Sequence, residues 1–206
     1  MLFGLLSTPN FGDDWYGPER RGGAVPPTLA MWAFLASLAV FFVAAFVLFL
    51  YYRIRGGPGW PRPGAVELPR VGLLISTAVL LASSASLHWA QRSIRGGRQR
   101  GLRTGLLLTM ALGVVFLACQ GLNWAVLSAR GLGGDANMLV ALFYALTILH
   151  FVHVLGGLAP LAFVTARSFG GRYSAERHTG VRLCSMYWHF LDGVWVLMCA
   201  ALFLPA

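Results

Sequence analysis

The segment TLAMWAFLASLAVFFVAAFVLFLYY, residues 28–52, decides the fold class of this chain. It contains no charged side chain, and a helix of about 20 apolar residues is long enough to cross the bilayer core. Four further apolar segments of comparable length follow, so we predict five spans at about 28–52, 71–90, 105–128, 138–165 and 181–204. The sequence thus predicts an all-α integral membrane protein, with a five-helix transmembrane bundle in residues 28–206.

Composition supports the same class of protein. Of the 206 residues, 57% are hydrophobic and 11% are charged, which is far from the average of soluble domains. The net charge is +9 and every basic residue is arginine. Because these arginines lie in short loops and at span ends, the charge indicates membrane topology rather than nucleic-acid binding. The absence of lysine excludes Schiff-base chemistry.

The distribution of arginines predicts the orientation of the chain. Eleven of them fall on the side that holds the N-terminus and the second and fourth loops, and five fall on the other side. Positive charge marks the cytoplasmic side, so we expect the N-terminus inside and the C-terminus outside. Residues 1–27 are expected to form a cytoplasmic leader rather than a cleaved signal peptide, because no basic residue precedes their short apolar stretch. Short loops also lead us to expect consecutive helices to be antiparallel neighbours.

Polar side chains within the spans are the candidate functional residues, because such groups are costly in a bilayer. A spacing of three residues places His150 and His153 on one helical face, and His189 and Asp192 on another. Both pairs lie near the centres of their spans and so at similar depth. We therefore expect Asp192 to meet His150 or His153 across the helix interface. In the third span, Gln120 is a further buried polar candidate.

From the residues alone, four interpretations of these side chains stay open. The histidines could ligate a haem, with His150 or His153 facing His189. Aspartate and histidine could relay protons. Three histidines and one carboxylate could hold a divalent metal. Finally, the same groups could simply form interhelical hydrogen bonds that fix the packing.

Four stretches of the sequence resemble subunit III of the haem–copper oxidases, the family of cytochrome c oxidase and the bacterial quinol oxidases. They are YWHFLDGVWVLMCAALFL (187–204), FYALTILHFVHVLGGL (143–158), LGVVFLACQGLNW (112–124) and MWAFLASLAVFF (31–42). The resemblance covers most of residues 28–206. Larger members have seven helices, and five spans resemble the shorter bacterial form that lacks the first two.

This resemblance implies a non-catalytic accessory subunit of a respiratory terminal oxidase in a bacterial inner (plasma) membrane. Such a subunit packs on the catalytic subunit I, beside subunit II and other respiratory subunits, holds phospholipids, and supports assembly and turnover stability in aerobic electron transport. Haem and copper would lie in the partner subunits, with no cofactor in this chain. The alternatives are an autonomous bis-histidine haem-b electron-transfer protein and an accessory subunit of a nitric oxide reductase.

The resemblance also assigns roles to the polar residues. It implies hydrogen-bonding and packing functions, rather than ligand functions, for Gln120, His150, His153, His189 and Asp192, with Trp188 and Trp195 as packing anchors. Two departures stand out. Leu38 follows Ser37 where the family often has a carboxylate, so a proton-related role for that carboxylate is not carried over. Ile148 and Phe151 replace the small residues that the family prefers, which predicts altered packing on that helix.

Overall fold

The computed structural model describes residues 25–56, 60–61, 66 and 68–203. They form five helices: α1 (Pro27–Arg55), α2 (Arg70–Arg95), α3 (Gln99–Ala129), α4 (Met138–Phe169) and α5 (Thr179–Phe203). All five are long and apolar enough to cross a membrane, which confirms the predicted five-span all-α fold. Each helix overlaps its predicted span, and the largest difference is at α3, which begins six residues before the predicted start at 105. Most of the predicted leader, residues 1–24, lies outside the described residues, as do residues 204–206.

Local sequence sets the helix ends. Pro27 occupies the first position of α1, where the missing backbone N–H is not needed. Gly56 ends α1 in the left-handed conformation at φ 56°, and its N–H donates to the carbonyl of Tyr52. At the start of α4, the Asn137 side chain accepts a hydrogen bond of 3.0 Å from the N–H of Val140.

The helices form a closed ring of four with one helix outside it. Around the ring, α2 packs on α3, α3 on α4, α4 on α5, and α5 returns to α2. Helix α1 packs against α4 and α5. The expectation that consecutive helices are neighbours is therefore wrong for the first pair, since α1 and α2 do not contact each other within the described residues. The connection of residues 56–69 is long and rich in glycine and proline, so it can carry the chain away from α1.

Close approach of α2 and α3 depends on small residues at their interface. A Cβ added to Gly105 would lie 2.6 Å from the Cβ of Ala90 and 2.9 Å from the Ser86 carbonyl oxygen. A Cβ on Gly101 would lie 2.5 Å from the Ser93 hydroxyl oxygen. Small residues promote packing between membrane helices because lipid-exposed helices gain little from the hydrophobic effect. The ring is thus tightest between these two helices.

Candidate functional site

Two tryptophans of α5 hydrogen-bond to hydroxyl groups of α2 inside the ring. The indole N–H of Trp188 donates to Ser83 Oγ at 3.0 Å, and that of Trp195 donates to Thr77 Oγ1 at 3.0 Å. Each hydroxyl in turn donates to a carbonyl three or four residues earlier on α2. Both indoles are buried. Every polar atom in this contact therefore has a partner, as the hydrocarbon environment requires.

A second polar contact between α2 and α5 lies beside the tryptophans. Ser84 Oγ lies 2.7 Å from His189 Nδ1, which is a hydrogen bond between the two helices. The same ring nitrogen lies 3.6 Å from Asp192 Oδ2, which is too long for a hydrogen bond. The Asp192 side chain is 8% exposed and that of His189 is 38% exposed. Within the described part of the chain, neither carboxylate oxygen has a hydrogen-bond partner.

The structure gives Asp192 a different neighbour from the one expected. Its carboxylate lies 3.6 Å from His189 Nδ1 on its own helix, whereas no hydrogen bond or ion pair among the described residues joins it to His150 or His153. The His153 Nδ1 atom instead lies 2.7 Å from the Leu149 carbonyl oxygen of its own helix. Similar depth indicates a cross-helix pair, but depth alone does not determine which side chains face each other.

His150 occupies an aromatic enclosure in the core. Its ring centre lies 5.0 Å from that of Trp195, 5.8 Å from that of Phe116 and 6.4 Å from that of Phe42. The side chain is fully buried, and neither ring nitrogen has a hydrogen-bond partner in the described residues. A histidine that ligates haem needs open space beside its coordinating nitrogen for the porphyrin. Around His150, aromatic rings fill that space. The packing therefore disfavours His150 as an axial ligand.

Metal ligation finds little support in the arrangement of the other titratable groups. Across the residues that the structure describes, no cluster of three or more His, Cys, Asp or Glu side chains is arranged to hold an ion. In α3, Gln120 is fully buried and neither amide atom is hydrogen-bonded to another described residue. Its neighbour one turn on, Asn123, donates to Ser76 Oγ of α2 at 3.2 Å. The predicted polar residues thus lie on several interfaces rather than at one centre.

The sequence alone did not assign a role to the serine and threonine hydroxyl groups of α2. Besides the two that accept from tryptophan, Ser86 Oγ pairs with Thr109 Oγ1 of α3 at 2.7 Å. A signal for this role was present, because hydroxyl side chains recur seven positions apart on α2, at 76 and 83 and at 77 and 84, and so share helical faces. Trp188 and Trp195 have the same spacing, and buried indole N–H groups need acceptors.

Comparisons with known proteins agree with this architecture. Residues 26–205 match the family model described as cytochrome c oxidase subunit III. The chain is 34% identical over 184 residues to cytochrome c oxidase subunit 3 of Synechocystis sp., across 87% of this chain and 77% of that protein. It is 33% identical over 178 residues to the subunit 3 of Thermostichus vulcanus, across 85% and 86%. A probable subunit 3 from Nocardia farcinica is 30% identical over 169 residues, across 82% and 83%.

The family match contains all five helices, including the tryptophan, histidine and aspartate positions of α5. Together with relatives at 30–34% identity over most of their length, it confirms the resemblance noted from the sequence. This multi-pass membrane chain belongs to the cytochrome c oxidase subunit III family.

Proposed function

We propose that this oxidase subunit III is a non-catalytic accessory subunit that packs on the catalytic subunit I of a haem–copper terminal oxidase. The observation that carries the proposal is the family match over residues 26–205. The polar side chains of α2 and α5 support it, because Trp188, Trp195 and His189 bond to hydroxyl groups of the neighbouring helix. Their role is to hold the bundle together so that its outer surface keeps a defined shape.

The partners proposed for this chain are subunit I and subunit II, with haem and copper in those subunits. Phospholipids are the other partners. Helix α1 supports this, since it turns large apolar side chains outward along its length, among them Trp32, Phe41 and Val47. An outward apolar face of this kind fits acyl chains or a neighbouring membrane helix. The function is to support assembly of the complex and its stability during turnover.

The alternatives have less support. An autonomous haem-b protein is not favoured, since the family match is to an oxidase subunit and aromatic rings enclose His150. A nitric oxide reductase subunit is not favoured, since the relatives are named as cytochrome c oxidase subunits.

For topology, we propose a bacterial plasma-membrane protein with its N-terminus and residues 1–27 in the cytoplasm. The arginine-rich turn between α2 and α3 supports this orientation, because positive loops are retained inside. Alkaline phosphatase fused after Ala129 should be active, and a fusion after Arg95 should be inactive. The reverse pattern would overturn the orientation.

Copurification is the experiment that tests the function. The affinity-tagged chain, extracted in mild detergent, should bring down subunits that carry haem and copper. The chain expressed alone should show no stoichiometric Soret band. A Soret band in the isolated chain, or the absence of any redox subunit from the purified material, would contradict the proposal.

A histidine variant separates a packing role from a ligand role. His189→Ala should lower the yield of complex and leave the visible spectrum of the remaining complex unchanged. The exposed His88 on α2 provides the matched control, and His88→Ala should leave both yield and spectrum unchanged. A selective loss of haem absorbance in His189→Ala would instead favour haem ligation.

A further inference from the structure

The turn between α2 and α3 borders a pocket at the edge of the membrane domain. The pocket has a volume of about 480 Å³. Helix α2 ends at Arg95 and α3 begins at Gln99, so the pocket lies where the chain leaves and re-enters the hydrocarbon layer. The side chains and backbone that matter here are those of Trp89, Ser93, Arg98, Gln99, Arg100 and Gly101.

Two arginines give the pocket a positive charge that no acid among the described residues neutralises. Arg98 and Arg100 are exposed, and among the described residues neither forms an ion pair with an acid. Arg103, one turn further along α3, behaves differently. Its guanidinium donates to the carbonyl oxygen of Ser168 at 3.1 Å, at the end of α4. The first two arginines are therefore the ones available to an external anion.

The N-terminus of α3 adds backbone donors to the same place. The first helical hydrogen bond of α3 runs from the N–H of Leu102 to the Arg98 carbonyl. The N–H groups of the three residues before Leu102, at positions 99–101, therefore have no partner within the helix. No side chain caps this end of the helix. The free N–H groups and the dipole of a long helix attract anions, and phosphate groups bind at such ends.

A buried hydroxyl group supplies an independent indication of a ligand. Ser93 forms part of the pocket wall, is 1% exposed, and its hydroxyl has no hydrogen-bond partner among the described residues. The Gln99 Oε1 atom is likewise buried without a partner, although its amide nitrogen donates to the Tyr173 carbonyl. Buried polar groups in native proteins are almost always satisfied. An oxygen-rich ligand would satisfy the Ser93 hydroxyl.

Trp89 indicates that the ligand comes from the membrane. Its indole is 45% exposed and forms the pocket wall six residues before the end of α2. At 1.5 Å per residue, that places it about 9 Å below the turn, at the level where tryptophans mark the membrane interface. A soluble anion would make no use of this apolar wall, whereas the glycerol and upper acyl chain of a lipid would pack on it.

We infer that this pocket binds the phosphate group of an anionic phospholipid. Arg98 and Arg100 neutralise the phosphate, the α3 N-terminus and Ser93 donate hydrogen bonds to it, and Trp89 packs against the lipid below. The inference rests on the proposed function, because it specifies where a lipid-holding membrane subunit recognises a head group. Free phosphate has the same chemistry without the acyl chains, so the experiment must separate the two sources.

The test measures binding of spin-labelled phosphatidylglycerol to the purified oxidase complex in nanodiscs of neutral phosphatidylcholine. Each basic residue near a membrane surface contributes about 1 kcal/mol, which is about 5-fold in affinity. Arg98→Gln with Arg100→Gln should therefore weaken binding by roughly 25-fold. The matched control is Arg55→Gln with Arg70→Gln, which removes the same charge at the opposite end of the bundle, since α2 runs for 26 residues, about 39 Å, from Arg70 to Arg95. It should change binding by less than about 3-fold, since charges separated by more than a Debye length are screened.

Ser93→Ala tests the buried hydroxyl without changing charge, and it should weaken phosphatidylglycerol binding by about 3- to 10-fold. Equal losses in the pocket and control variants would overturn the inference, because they would show a general charge effect. Complete displacement of the labelled lipid by excess inorganic phosphate would assign the site to a soluble anion. Failure of the chain to copurify with redox subunits would contradict the proposed function, whereas unchanged lipid binding by an assembled double-arginine variant would contradict the pocket alone.

Discussion

Gly105→Ala should destabilise the bundle, although alanine is the better helix former. Gly105 lies in α3 against α2, and an added Cβ would come within 2.6 Å of the Ala90 Cβ. It would also lie 2.9 Å from the Ser86 carbonyl oxygen and 3.0 Å from the Ala90 Cα. Because two of these three atoms belong to the backbone, no side-chain rotation relieves the overlap. The two helices must move apart.

The expected change in the free energy of unfolding follows from two opposing terms. Replacing a helical glycine with alanine gains up to about 1 kcal/mol from helix propensity. Overpacking a close contact costs about 1–3 kcal/mol, and separating α2 from α3 also strains the 2.7 Å bond between Ser86 and Thr109. Gly121 in the same helix isolates the first term, because a Cβ there meets nothing within 4 Å. Gly105→Ala should therefore be about 2 kcal/mol less stable than Gly121→Ala, about 30-fold in the unfolding equilibrium.

Unfolding of the full chain in mixed micelles, followed by circular dichroism against increasing dodecyl sulfate, measures this difference. Gly121→Ala should unfold at or above the wild-type midpoint, and Gly105→Ala clearly below it. Equal midpoints for the two variants would refute the reasoning, because they would mean that α2 and α3 do not approach as closely as the structure places them.

Three further substitutions test polar side chains of α2 and α5 by the same unfolding assay. Trp195→Phe removes the indole donor to Thr77 and should cost about 1 kcal/mol, so a wild-type midpoint would show that the bond contributes nothing. Ser84→Ala should cost up to about 1 kcal/mol and shift the ring nitrogen resonances of His189, and unchanged resonances would argue against the bond. Asp192→Leu should leave stability within about 1 kcal/mol of wild type or raise it, because neither carboxylate oxygen is hydrogen-bonded. A loss of several kcal/mol would reveal a partner for Asp192.

The helices were predictable from the sequence because crossing a bilayer imposes a length and an apolar composition on each one. Their order in space was predictable only where connections are short. The turn of residues 96–98 forces α2 against α3, whereas residues 56–69 impose no such constraint on α1. That connection contains repeated glycine and proline, a composition which indicates that α1 and α2 need not be neighbours.

The partners of the polar side chains were harder to predict. Position along a span gives depth, and depth correctly places His189 and Asp192 near the centre of α5. Contact also requires the rotation of each helix about its axis, which depends on how all the large side chains pack. In this ring Phe116 and Trp195 surround His150 and separate it from polar neighbours. Aromatic packing therefore decides which groups can meet Asp192.

Two kinds of interaction hold this bundle together, and they differ in whether contacts with lipid can replace them. Helix α5 is joined to α2 by hydrogen bonds that lipid cannot replace. Helix α1 is attached through aromatic contacts, such as Phe42 with His153 at 5.0 Å and Phe34 with Tyr187 at 6.0 Å, and through the Arg53 guanidinium bonded to the Ala201 carbonyl. Acyl chains are as apolar as these rings, so no hydrophobic effect favours the bundle over lipid as the neighbour of α1. Along most of its length, α1 is therefore held only by van der Waals packing. The ring of α2 to α5 is thus the self-supporting part of the fold, and α1 is the helix whose position depends most on what surrounds it.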